Sequence, residues 1–257
     1  MTERRLWTQG LCDWKSFLQR SSIEGLSADR KSLYDRDLTL AQSEFDAGDV
    51  RALACRLPQR EHWRFYGSSC QSDILYLDIE TTGLSCHDSS GLVTVVGLHR
   101  NGKTITLVQG ETLTVDRLQS ELDQARLLVT FFGASFDVPY LRAKFPQLRF
   151  EMPHFDLCFA SRRLGLRGGL KRLEQEFGIE REASVHGLNG LDAVRLWLQW
   201  QRGDHASLDL LRAYNAADTE SLVPLSVLVY KEMMTRFGPI SVEGHSHFSS
   251  VSDLSLR

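Results

Sequence analysis

Two β-rich segments, residues 92–100 and 103–110, are separated only by Asn101-Gly102. Asn-Gly suits a two-residue turn in which both central residues take positive φ, so this stretch is committed to an antiparallel hairpin. The elements around it fix what the hairpin joins. Residues 74–77, Ile-Leu-Tyr-Leu, form a short apolar run ending in polar residues, as a buried strand does. Residues 114–124 read as an amphipathic helix with Thr114 as its cap, 126–132 as a second apolar strand, 136–145 as a helix and 150–156 as a fifth strand. Helices then follow at 157–164, 169–177, 191–201 and 206–237, the last with Pro224 inside, where a kink or a break is expected. This order predicts an α/β protein: a mixed five-stranded sheet flanked by helices.

Residues 1–72 have a different texture. They hold three of the five tryptophans (Trp7, Trp14, Trp63) and helix-like stretches at 13–20 and 28–46. Asp49 is placed to cap a helix over 50–57, which Pro58 ends. The expected organisation is a helical N-terminal extension (1–72), a main domain (73–237) and a fraying Ser- and His-rich tail (238–257).

Composition narrows the class of function. A chain of 257 residues can bury a sizeable core without disulfides or a structural metal. Its formal net charge of -3 excludes a globally basic coat that would bind nucleic acid by charge alone. The cysteines, Cys12, Cys55, Cys70, Cys86 and Cys158, are odd in number and no two lie within a C-x-x-C spacing, which points to neither a zinc site nor a disulfide framework. The charged start, Met1-Thr2-Glu3-Arg4-Arg5, leads into no apolar segment, and no apolar run reaches the length of a membrane span. The expectation is a cytoplasmic protein without a membrane partner.

The chemistry concentrates at the end of the first strand, Asp78-Ile79-Glu80. Strand side chains alternate, so Asp78 and Glu80 leave one face and Ile79 the other. Two acids side by side at the end of a buried strand are costly unless a positive charge neutralises them, and hard oxygen ligands match Mg²⁺ or Mn²⁺. A solvated strand end is the plain alternative.

Three motifs in order then resemble a known family. Asp78-Ile79-Glu80-Thr81-Thr82-Gly83 looks like the first motif of the DEDD 3′→5′ exonucleases, which have the ribonuclease H-like fold. Phe132-Gly133-Ala134-Ser135-Phe136-Asp137 resembles the second, with Asp137 in the ligand position. Tyr214-Asn215-Ala216-Ala217-Asp218 resembles the third in its tyrosine form, since Ala213 stands where the histidine form has its histidine. Within that branch the chain is most similar to the YprB-type domain, through Tyr214-Asn215-x-x-Asp218, Gly169-Leu170-Lys171-x-Leu173-Glu174 and the early Leu6-Trp7-x-x-Gly10-Leu11-x-x-Trp14.

The resemblance implies a metal-dependent exonuclease that threads single-stranded DNA or RNA so that the 3′ end meets two divalent ions, Mg²⁺ or Mn²⁺. Asp78 would bridge the ions, Glu80 and Asp218 would complete the site of the ion that activates water, and Asp137 would serve the other. Tyr214 and Asp218 are four apart on a helix and share a face, which makes Tyr214 a group that positions water rather than a general base. Thr81, Thr82, Gly83, Leu84 and Phe136 would contact the nucleic acid.

Between Arg142 and Arg172 eight basic residues face only Glu151 and Asp156, and Arg162, Arg163, Arg167 and Lys171 are expected to follow the phosphate backbone. The family's Asn before Gly133 is Phe132 here; the ring either stacks on a base or, the favoured expectation, extends the strand into the core. His154 and Asp156 either line the cleft or sit in the structure around it. Trp197 and Trp200 read as core, Cys86-His87 as unreactive, and His245-Ser246-His247 as no metal site. Two other functions fit the same fold: a catalytically silent nucleic-acid-binding module, and a structural subunit of a nuclease or helicase complex.

Overall fold

The computed structural model describes residues 3–67 and 73–239; the junction 68–72 and the tail with His245-Ser246-His247 lie outside the described residues. The chain divides into two compact units, one of residues up to 47 with those from 237 onward, the other of residues 48–236.

The first unit contains α1 (Glu3–Trp7), α2 (Trp14–Gln19) and α3 (Ala28–Asp46). Asp13 starts α2 by accepting the Ser16 amide at 2.6 Å, one of the amides a helix start leaves without a partner. A small apolar cluster of Leu11, Phe17 and Ile23 holds the unit together. Lys31 lies over the Phe17 ring and pairs with Asp35 at 2.6 Å, so its buried stem packs while its charge stays matched.

The second unit opens with α4 (Val50–Arg56), capped by Asp49 through the Ala52 amide at 3.0 Å, and a 3₁₀ segment (Gln59–Gly67). The sheet follows: β1 (Ile74–Thr81), β2 (Val93–Arg100), β3 (Lys103–Val108), β4 (Leu127–Thr130) and β5 (His154–Asp156), in the spatial order β3-β2-β1-β4-β5. β1, β2 and β3 pair antiparallel, while β4 and β5 add in parallel. Asn101 and Gly102 both have positive φ, at 51° and 73°, as the hairpin requires.

β5 is shorter than expected because Pro153 has no amide hydrogen to give the ladder. β4 likewise stops at Thr130 and leaves Phe132 outside the sheet.

Alternation along β1 sorts the two faces. Leu75, Leu77 and Ile79 enter the core shared with α5 (Val115–Asp123) and α6 (Asp137–Lys144). The opposite face packs Val95 and Val108 against α9 (Gly190–Trp200) and α10 (His205–Phe237), with Trp197, Leu211 and Tyr214 in that cluster. Trp197 is therefore core, as expected.

The helices α7 (Leu157–Leu164) and α8 (Leu170–Phe177) complete the layers. Pro224 neither breaks α10 nor ends it. Leu222, Leu225 and Val229 are fully buried around it, and that packing outweighs one lost backbone bond.

α10 can lie close to the sheet because β2 carries Gly97 opposite Asp78. A Cβ there would stand 2.1 Å from Thr219 Oγ1 and 2.5 Å from Asn215 Oδ1.

Candidate active site

β1 delivers Asp78 and Glu80 to the face that meets α10, and α10 delivers Asp218. One carboxylate oxygen from each can be chosen so that all three lie within 4.8 Å of one another. Asp137, the first residue of α6, approaches from the side and accepts the Ile79 amide at 3.1 Å. The four carboxylates line one end of an open cleft of about 510 Å³.

Their electrostatics are those of unneutralised acids. Burial pushes Asp78 well above the usual carboxylate range, and the charges of Asp218, Glu80 and Asp137 push it further. Glu80 is raised by burial and by Asp218 and Asp137. Asp137 is pushed up to about 7, mainly by burial, despite two backbone amides that favour its charged form. Asn215, fully buried on α10, donates to Asp78 Oδ2 at 2.9 Å and fixes that carboxylate's orientation.

A converging set of hard carboxylate oxygens, held at a common cost in repulsion, is the donor set a divalent ion such as Mg²⁺ or Mn²⁺ would relieve. The residues present therefore fit the group that the fold implies.

Among the described residues, Asp218 alone of the four has an ion-pair partner, Arg181. Arg181 is itself gripped by the buried Glu174, at 2.6 and 2.7 Å. Burial still raises Asp218, with Arg181 opposing. Glu174 closes the Gly169-Leu170-Lys171-x-Leu173-Glu174 pattern of the family resemblance, whereas no spacing in the sequence marks Arg181; only the fold brings the pair to the third motif.

Lys171 Nζ donates to the Tyr214 hydroxyl at 3.2 Å and lies 4.8 Å from the ring centre. Burial and the surrounding carboxylates hold the phenol far above its ordinary value, so it stays protonated. That suits positioning, not base catalysis.

The other expected contacts separate into two groups. Thr81, Gly83 and Phe136 line the cleft beside the carboxylates. Thr82 instead holds its own loop, accepting the Leu92 amide at 3.0 Å, and Leu84 is exposed with its carbonyl accepting from Tyr140. Arg163 is spent on the Arg60 carbonyl and Glu61, and Arg167 is simply exposed. Arg162 lies over the rings of Phe132 and Phe159.

Phe132 corrects the favoured expectation: it is not core but 39% exposed, and it lines the cleft. β4 ends two residues earlier, and the chain turns there with Phe132 in the left-handed region at φ 67°. Asp156 holds that turn by accepting the Phe132 and Ala134 amides at 3.0 and 2.9 Å, while also capping α7. Asp156 is thus a scaffold, and the buried His154 bonds Thr130 beside it at 2.8 Å.

A mixed sheet in the order β3-β2-β1-β4-β5, with acids from β1 and α10 meeting at one end, defines a ribonuclease H-like nuclease fold. The sequence profile of the RNase_H superfamily matches residues 75–230, more than half of the chain, and the chain belongs to that superfamily.

Among solved structures, the chain is similar to the family B DNA polymerase of the hyperthermophilic archaeon Pyrobaculum calidifontis (14% identity, TM-score 0.47), covering 64% of this chain and 29% of the polymerase. It is similar to a nuclease in its apo form (19% identity, TM-score 0.47), over 70% of this chain and 79% of that one. A third likeness is to Brucella melitensis NrnC bound to pGG (21% identity, TM-score 0.44), over 66% and 77% of the two chains. No curated protein matches the sequence.

Proposed function

We propose that residues 73–237 form a 3′→5′ exonuclease of the DEDD tyrosine branch, similar to the YprB type, acting on single-stranded DNA or RNA. One observation carries the reading: Asp78, Glu80 and Asp218 converge within 4.8 Å, with Asp137 at their side, in a cleft open enough for a nucleotide. Solvated surface acids would not be buried together at this cost.

Asp78, Glu80 and Asp218 would hold one divalent ion, and Asp78 with Asp137 a second. When bound, Mg²⁺ or Mn²⁺ supplies an activated water and stabilises charge on the attacking and leaving oxygens. The chain's own groups do the rest. Asn215 keeps Asp78 turned into the cleft, and Arg181 offsets part of the excess negative charge at Asp218. Tyr214, protonated and held by Lys171, offers a hydroxyl beside the carboxylates for aligning water. Lys171 places a cation at the same edge, where a phosphate would arrive.

The test is a gel assay on 5′-labelled single-stranded DNA and RNA with Mg²⁺, Mn²⁺ or EDTA. A ladder shortening from the 3′ end only with metal, and absent in Asp78→Asn, is the expected result. Binding without hydrolysis under any metal would leave a silent binding module instead.

A further inference from the structure

Behind the cleft lies a second cavity of about 510 Å³ with an opposite chemistry. Trp63, Phe155 and Phe159 line it with Arg60, Arg162 and Arg163, and its one lining carboxylate, Asp156, has its oxygens taken up by backbone amides. One wall comes from the 3₁₀ segment Gln59–Gly67, outside the residues that match the superfamily, so the cavity belongs to this chain's own elaboration of the fold.

The two spaces share a partition, the turn after β4: Phe132 lines the carboxylate cleft and Ala134 lines the second cavity. Across that partition the aromatic surface is continuous. The Phe132 and Phe159 ring centres are 5.9 Å apart, and the Arg162 guanidinium lies 5.6 and 5.5 Å from them. Both rings are more than a third exposed, at 39% and 38%, so each keeps a face open to a ligand. Arg162 has no carboxylate partner among the described residues.

The backbone gives an independent sign. A bulky residue in the left-handed region is a genuine outlier, and such strain persists where the surroundings impose it. Here Asp156 imposes it with two amide bonds, and the result is a large ring presented to solvent at the mouth of the cleft.

We infer that Phe132, Phe159 and Arg162 form a second nucleotide site, which takes the nucleotide adjoining the one being hydrolysed. Its base stacks on the two rings and its phosphate meets Arg162 and Arg60. Aromatic faces with flanking arginines bind single strands without demanding a sequence, and the cavity has room for one nucleotide. The acids of the cleft repel a phosphate when no metal is bound, so this basic, aromatic neighbour is what retains the strand between cuts. The inference rests on the exonuclease reading for the identity of the ligand.

The test is fluorescence anisotropy in EDTA with a 5′-fluorescein hexathymidylate, competed with thymidine 5′-monophosphate. Phe159→Ala and Arg162→Gln should each weaken hexamer binding about 5- to 10-fold, and Phe159→Trp should restore it, as stacking energies of this kind predict. Unchanged affinity in both variants overturns the site. So does an equal loss for the mononucleotide, which would make the cavity a pocket for free nucleotide. A wild type that shortens the strand with metal while the variants bind normally sinks only this site. A wild type that binds through Phe159 yet never hydrolyses sinks only the exonuclease reading. A wild type that binds no oligonucleotide overturns both.

Discussion

The carboxylate cleft and the cavity behind it enclose nearly the same volume, and one turn of chain separates them, yet they are electrostatic opposites. The cleft gathers Asp78, Glu80, Asp137 and Asp218 with part of their charge left over; the cavity gathers Arg60, Arg162 and Arg163 around aromatic walls. Size alone would not tell them apart. The difference teaches that one space is built to draw in cations and the other to hold an anion with a flat base attached.

The sharpest way to break the contrast is at its most charged point. Asp78→Asn should reduce metal-dependent hydrolysis by at least about a thousand-fold, roughly 4 kcal/mol, while the metal-free melting temperature stays level or rises as repulsion is relieved. Full activity in that variant would remove the site. Arg181→Gln attacks the cation paired with Asp218 on the acidic side. It strands buried Glu174 and should cost about 3 kcal/mol in chemical denaturation; a neutral result would mean the pair is not buried as described.

Across the partition, His154 offers a pH test. Burial, aided by the His62 and Arg142 charges, pushes its imidazole down to about 3. A depressed base is neutral in the folded state while the unfolded chain takes up a proton near 6.5. The stabilisation is therefore full above about 6.5 and lost as pH falls toward about 3, reaching roughly 2 kcal/mol at pH 5. Melts at pH 7.5 and 5 should differ less in His154→Gln than in wild type, and an equal difference would refute the assignment. The smallest effect is at the turn itself. Phe132→Asn, with a residue that tolerates positive φ, should stabilise the fold by about 0.5–1 kcal/mol while weakening oligonucleotide binding. Stability without that loss would make the ring idle.

Much of this molecule could be read along the chain. The hairpin at Asn101-Gly102 and the opposed faces of Asp78 and Ile79 are local consequences of turn chemistry and alternation, and both are present. The Thr114 and Asp49 caps followed from the same kind of signal. Asp78, Glu80 and Asp218 belong to the first and third motifs of the family resemblance, and the structure brings the three together. What stayed hidden depends on contacts between distant segments. Arg181 reaches Asp218 and Glu174 only through the packing of its loop on α10. Phe132 looked like strand because its neighbours are apolar, and nothing local shows that Asp156, far along the chain, turns the backbone after Thr130. The second cavity was invisible for the same reason: its walls come from segments about a hundred residues apart, as Arg60 and Arg163 are.

Gly97 sets a mechanical condition on all of this chemistry. Asn215, Tyr214 and Asp218 ride on a single rigid rod, α10, whose seat on the sheet is a residue without a side chain. A methyl group there would lift the rod by on the order of 1 Å, and misplacements of that size can cost about a hundred-fold in rate. All three groups would leave register with Asp78 in one movement, so the tolerance of the whole machine is that of its thinnest shim.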